Sequence, residues 1–173
     1  MPESHAPEPQ ADRRRPGVHV PGAPVGSALL RLLRAHAQLG TALLARIGVP
    51  PPQELILLRL EEYGPLPQSD IVRYLYRDRS TTSATLQAME RAGLISRTPS
   101  PTDRRALDVT ITDAGLALCP AVREAWARLE DAAFSHLSVG DRARLADAMN
   151  TSRDALVKAM EDRGHSAHPR RQR

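Results

Sequence analysis

The stretch LISRTPSPTDRRALDVTIT, Leu94 to Thr112, decides how the rest of the chain is read. Leu107, Val109 and Ile111 alternate with Asp108 and Thr110, the period-two pattern of a half-buried strand. Leu94 to Thr98 is its natural antiparallel partner. Between the two runs lie Pro99, Pro101 and a tip that carries Asp103, Arg104 and Arg105. Two adjacent arginines on a hairpin tip can support no core. Either they meet a partner outside the fold, or they sit in a polar turn whose solvated ion pair contributes little.

Upstream of the hairpin the pattern is helical. Arg79 to about Ala92 predicts a helix stopped by Gly93, with Thr82, Leu86 and Met89 at i, i+4, i+7 facing a core. A shorter helix, PQSDIVRYL, precedes it, with Ile71, Val72 and Leu75 on one side. Before that come a helix from about Pro51 to Tyr63, ended by Gly64-Pro65, and a first helix opened by a Ser27 cap and closed by GVPPP. Leu29, Leu30, Leu32, Leu33, Leu39, Leu43, Leu44 and Ile47 make the apolar face of that first helix too wide for a monomer surface. Downstream, Thr112 or Asp113 caps a long helix with Leu116, Val122, Trp126, Leu129 and Ala133 at helical spacing and with Pro120 set to kink it. Ser138 with Asp141 marks the start of a last helix that carries Leu145, Met149, Leu156 and Met160.

The expected order is ααααββαα: a mainly α chain with a small β-hairpin wing. Two helices joined by a short turn and followed by a hairpin make a winged helix-turn-helix, whose second helix enters the DNA major groove. That helix presents Ser80, Ser83, Ala84, Gln87 and Arg91 outward, with Thr81 at its N-terminal end. Hydroxyls, an amide and a cation can reach phosphates or base edges, and glutamine can pair bidentately with adenine. RDRSTTS taken alone reads equally as an N-cap cluster. Arginines on a wing suit the narrow minor groove, where the negative potential is enhanced, and Asp103 can steady Arg105 by a bidentate pair.

Bulk composition is consistent with this. The 173 residues suffice for one ordinary domain, 41% are hydrophobic and only 3% aromatic, so the core rests on aliphatic side chains carried by helices. Net charge is +4, and every basic residue except Lys158 is arginine. Residues 77–105 carry six arginines against Asp78, Glu90 and Asp103, whereas residues 121–162 hold six basic against eight acidic groups. The positive charge therefore lies where the helix-turn-helix and wing are expected. A single cysteine, Cys119, excludes an intrachain disulfide and a cysteine-based metal cluster. There is no run of about 18 apolar residues and no signal-peptide core, so a cytoplasmic protein without a membrane partner is expected. Neither a His-Glu-x-x-His nor a Gly-x-Ser-x-Gly motif nor a glycine-rich phosphate loop occurs, so no enzyme, no cofactor and no metal are expected.

Leu94, Arg97, Asp103, Arg105, Val109, Ile111, Thr112 and Gly115 fall in register with the wing signature of the MarR family of transcriptional regulators, and residues 64–95 resemble its helix-turn-helix. The resemblance spans roughly residues 28 to 160. It implies a homodimer, held by the first and last two helices, that reads a pseudo-palindromic double-stranded operator as a repressor. Ser80, Thr81, Ser83, Gln87 and Arg91 are then the major-groove candidates, and Arg97, Asp103, Arg104 and Arg105 the wing candidates. The sequence departs from the family at Ala84, often arginine, and at Pro67, often serine or threonine. The resemblance also implies release by a small lipophilic or phenolic effector, with His36, Leu39, Leu43, Arg59 and Trp126 as candidate neighbours; ordinary packing explains the same residues. The organisation expected is a disordered tail over 1–24, a dimerisation helix over 25–50, the winged domain over 51–112, dimerisation helices over 113–162 and a basic tail over 163–173. The alternatives are a winged-helix dimer acting mainly as a protein-interaction module, which Ala84 favours, and a cysteine redox sensor. Cys119 does not stand where oxidant-sensing relatives carry their cysteine.

Overall fold

A computed structural model describes residues 18–101 and 106–166, and the wing-tip residues Asp103, Arg104 and Arg105 and most of both tails lie outside the described residues. The elements in order are α1 (Pro24–Ala45), α2 (Gln53–Tyr63), β1 (Leu66–Pro67), α3 (Gln68–Leu75), α4 (Arg79–Arg91), β2 (Ile95–Pro99), β3 (Leu107–Ile111), α5 (Asp113–Phe134) and α6 (Val139–Ser166). Two compact units result, one ending at Leu129 and one beginning at Glu130.

The first unit is built on a core of Val49, Ile56, Leu57, Leu60, Ile71, Leu86, Met89, Ile95, Val109, Cys119 and Val122. Apart from Val49, which lies between α1 and α2, these come from α2 through α5, so the winged region has its own interior. The hairpin pairs antiparallel with Ile95 opposite Ile111 and Arg97 opposite Val109. The strand order is β1-β3-β2, because Leu66 and Pro67 pair with Val109 and Asp108 and add a third strand that the expected ααααββαα order lacks. Two residues are too short a run to carry a period, which is why alternation did not reveal it. Pro67 also precedes α3 with no side-chain cap, the consequence of proline where a hydroxyl is the better capping residue.

Two expectations about α1 and one about the C-terminus need correcting. Ser27 does not cap α1: the helix starts at Pro24, and the Ser27 hydroxyl sits inside it, donating to the Ala23 carbonyl at 2.8 Å and accepting from Val20 N–H at 2.9 Å. Proline at the first helical position needs no N–H partner, which moves the start upstream. With Arg31 donating to the Val18 carbonyl at 3.1 Å, residues 18–24 are tied to α1 rather than forming part of a disordered tail. At the other end α6 runs to Ser166, past the expected boundary at 162.

The α4–β2–α5 junction is locked by three local bonds. After α4, Gly93 takes φ +72° and Leu94 N–H reaches the Met89 carbonyl at 3.0 Å, a left-handed helix stop that glycine adopts without strain. Thr112 then caps α5, its hydroxyl accepting from Gly115 N–H at 3.2 Å while it donates to the Gly93 carbonyl at 2.7 Å. Pro120 lies within α5 as expected. In the second unit, Ser138 accepts from Asp141 N–H at 3.1 Å and so starts α6. Asp141 is held below the usual carboxylate range by its bonds to Ser138 and then Arg144.

Apolar side chains remain uncovered on both flanking helices of the single chain. Leu29, Leu30, Leu33 and Leu39 are exposed on α1, Leu33 by 54%. Met149, Leu156 and Met160 are exposed on α6, Leu156 by 65%. Among the described residues no helix is long and apolar enough to cross a membrane.

Candidate nucleic-acid interface

The outer face of α4 is built from its buried face. Thr82, Leu86 and Met89 are fully buried, so the helix is fixed in rotation by the core. The intervening positions Ser80, Thr81, Gln87 and Arg91 are then exposed, and Ser83 is half-buried. Asp78 starts the helix: its carboxylate accepts from Thr81 N–H at 2.8 Å and from the Ser80 hydroxyl at 2.5 Å. Those hydrogen bonds hold Asp78 well below the ordinary carboxylate range, Ser80 first. Its folded-state value is depressed, so its contribution to stability is present above the ordinary value of 3.8 and is lost as pH falls through the lower folded value. Asp78→Ala should therefore lower the thermal midpoint at neutral pH, with the gap to the native chain closing as pH falls below the usual carboxylate range; differential scanning calorimetry across pH checks it.

RDRSTTS is thus an N-cap and a polar surface at once. Asp78 is the cap, and Ser80 and Thr81 are partly committed to it. Arg91 and Gln87 project without that commitment. Arg77 and Arg79 are exposed beside the helix start, as is Tyr76, a left-handed residue at φ +49° that ends α3.

Arg97 is the wing candidate that lies among the described residues, and it is committed within the fold. Its guanidinium donates to Glu90 of α4 through Nε at 3.0 Å and a terminal nitrogen at 2.6 Å, and its side chain is only 14% exposed. A planar fork spent on a neighbouring helix staples the hairpin to α4 instead of reaching a ligand. The same pair holds Glu90 below its ordinary value. Spacing placed Arg97 on the wing, but no sequence rule disclosed its partner seven residues upstream. Arg97→Ala should lower the unfolding midpoint, read by thermal melts monitored by circular dichroism.

Elsewhere in the same unit, a partly open cavity of about 180 Å3 lies between α1, α2 and α5. His36, Gly40, Leu44, Glu54, Trp126 and Leu129 are among its walls. Of the five effector candidates, only His36 and Trp126 line it, their rings 5.8 Å apart and tilted. His36, Gly40 and Leu44 recur every four residues along α1 and face inward, and Leu39 and Leu43 lie about 100° around the helix from that stripe. Leu39 is exposed, and Leu43 borders a separate shallow hollow with Arg46 and Arg128. Arg59 of α2 is not among the cavity's walls; its guanidinium stands 3.8 Å over the Tyr63 ring and 4.9 Å from that of Tyr74, a cation–π stack. Periodicity alone did not reveal Glu54, a carboxyl only 4% exposed whose Oε2 has no hydrogen-bond partner.

Cys119 is fully buried in the core, its sulfur 3.6 Å from the Gly115 carbonyl. Burial first, then the Glu61 carboxylate, pushes the thiol up to about 11, so little thiolate exists at neutral pH. Among the described residues no three His, Cys, Asp or Glu side chains come together as a metal site.

A helix pair whose second member carries an exposed polar face, followed by a hairpin stapled to it, defines a winged helix-turn-helix protein. Residues 49–107 match the family model described as MarR family. The chain is 26% identical over 115 residues to the HTH-type transcriptional repressor NicR of Pseudomonas putida, covering 64% of this chain and 73% of that protein. It is 36% identical over 76 residues to the organic hydroperoxide resistance transcriptional regulator of Bacillus subtilis, covering 44% of this chain and about half (52%) of that one. A crystal structure of a probable transcriptional regulator from Pseudomonas aeruginosa superposes with a TM-score of 0.66 at 28% identity, over 73% of this chain and 95% of that chain. In its fold and over residues 49–107 the chain resembles the MarR family.

Proposed function

We propose that the protein is a sequence-specific regulator of transcription that binds double-stranded DNA as a homodimer and represses until a small molecule releases it. The carrying observation is the exposed polar face of α4, held in register by Thr82, Leu86 and Met89 beneath it and by the Arg97–Glu90 staple beside it. Ser80, Thr81, Ser83, Gln87 and Arg91 would meet the major groove; Arg104 and Arg105, braced by Asp103, would meet the adjacent minor groove. Arg97 holds the wing to the helix.

The uncovered leucines of α1 and the apolar residues of α6 support the dimer, since each face buried against a second copy removes apolar surface from water. The Pseudomonas putida relative carries the name of a repressor, which supports the sign of regulation. The cavity lined by His36 and Trp126 supports an effector. No catalytic activity is assigned.

Fluorescence anisotropy with the duplex upstream of the protein's own gene tests this reading. Tight binding with a steep loss of affinity as salt rises supports it, because phosphate neutralisation releases counterions. Equal binding to a scrambled duplex would remove the sequence-specific part. In the same assay Gln87→Ala should relax the preference at one base pair per half-site, while Arg105→Ala should cost roughly 1 to 3 kcal/mol of affinity with the fold intact.

A further inference from the structure

The cavity between α1, α2 and α5 has a wall that a simple apolar pocket lacks. Glu54, in the first turn of α2, is 4% exposed, and its Oε2 is shut off from solvent with no partner. A carboxylate that has lost its water without gaining a cation is expensive to keep. Burial is the largest influence on it and raises its proton affinity; hydrogen bonds from backbone N–H groups of Glu54 and Leu55, and then the charge of Arg77, oppose this. On the same cavity, Trp126 and His36 supply two aromatic rings 5.8 Å apart. Leu44, Leu55 and Leu129 complete the apolar lining.

Aromatic faces, aliphatic walls and a carboxyl with one unpartnered oxygen are the elements that recognise an organic ammonium. We propose that this cavity takes a single-ring organic cation, an arylalkyl ammonium whose N–H groups satisfy the Glu54 carboxyl while its ring lies against Trp126 and His36. The size agrees: a cavity of about 150 Å3 in another protein accepts benzene, and this one holds about 180 Å3. A carboxylate-bearing ligand of the same shape would face Glu54 with like charge or force it to take up a proton. Glu54 thereby selects by charge among ligands that the apolar walls accept alike. As an account of an effector the inference rests on the regulator reading above; as an account of binding it stands apart from DNA.

Trp126 is the single tryptophan of the chain, so intrinsic fluorescence reports on this cavity without a label. The native protein is titrated with benzylamine, benzyl alcohol and benzoate, and the titrations are repeated with Glu54→Gln, which keeps the shape and removes the charge. Benzylamine should bind at least about tenfold tighter than either of the others, and the glutamine variant should reduce that preference to within about twofold. Benzoate binding as well as benzylamine to the native chain overturns the proposal, and so does the absence of any saturable change with benzylamine. Unchanged benzylamine affinity in a folded Glu54→Gln protein overturns the role of the carboxyl. The native selectivity series needs no variant, so it decides the matter even where the substitution prevents folding. DNA affinity of the unliganded protein is measured separately; its absence sinks the regulator reading and leaves the fluorescence result standing.

Discussion

Leu86→Ala should cost about 2 to 5 kcal/mol of stability and, in whatever fraction stays folded, loosen α4 against its support. Leu86 is fully buried in the same cluster as Ile71, Met89, Ile95 and Val109, so truncation leaves a void where α3, α4 and the sheet meet. The substitution touches no outward residue. Its effect on DNA binding should therefore exceed that of Gln87→Ala even though Gln87, one position along, is the exposed residue. Urea unfolding gives the stability change, and anisotropy at a temperature where both proteins are folded gives the affinity. A loss of stability below about 1 kcal/mol would show that this core does not hold the helix.

Gly115→Ala should be nearly as severe, at about 3 kcal/mol, a fall of roughly 6 to 12 °C in the thermal midpoint for a chain of this size. A Cβ there would stand 2.3 Å from the Leu94 carbonyl oxygen and 2.8 Å from Ile111 Cγ1. The first neighbour is backbone, pinned by Thr112 N–H at 3.1 Å, and cannot swing aside. The glycine therefore serves close approach of helix to hairpin, not an unusual backbone angle, and serine should fail as badly as alanine. Calorimetric midpoints for both variants check this; native-like values would mean that the start of α5 can shift without cost.

How much of this was legible in the sequence depends on the range of the interaction concerned. The hairpin and α4 were readable because their signals are local and periodic: alternation from Leu107 to Ile111, a four-three spacing through Thr82, Leu86 and Met89, a glycine stop at Gly93. Strand β1 was not, since it exists only through its pairing with β3. The side-chain commitment of Arg97 was equally hidden, because Glu90 meets it only after the strand folds back on α4. The effector candidates divide between two surroundings. His36 and Trp126 line the cavity, but Leu39 and Leu43 lie one residue around α1 from the stripe that faces it, a rotation that a wide leucine-rich face does not betray, and Arg59 of α2 stacks on Tyr63 and Tyr74. Glu54 escaped because a carboxylate in the first turn of a helix is ordinary at the surface and only its burial makes it unusual. In contrast, the exposed leucines of α1 follow from the breadth of its apolar pattern.

Selection of bound duplexes from a random-sequence pool asks whether the outer face of α4 reads bases at all. The expected result is a pseudo-palindromic consensus whose half-sites are centred about one helical turn apart, with one half-site position losing its preference in Gln87→Ala. Recovery of duplexes with no consensus, or a consensus unchanged when Gln87 is replaced and Ser83 and Arg91 are truncated with it, would contradict it.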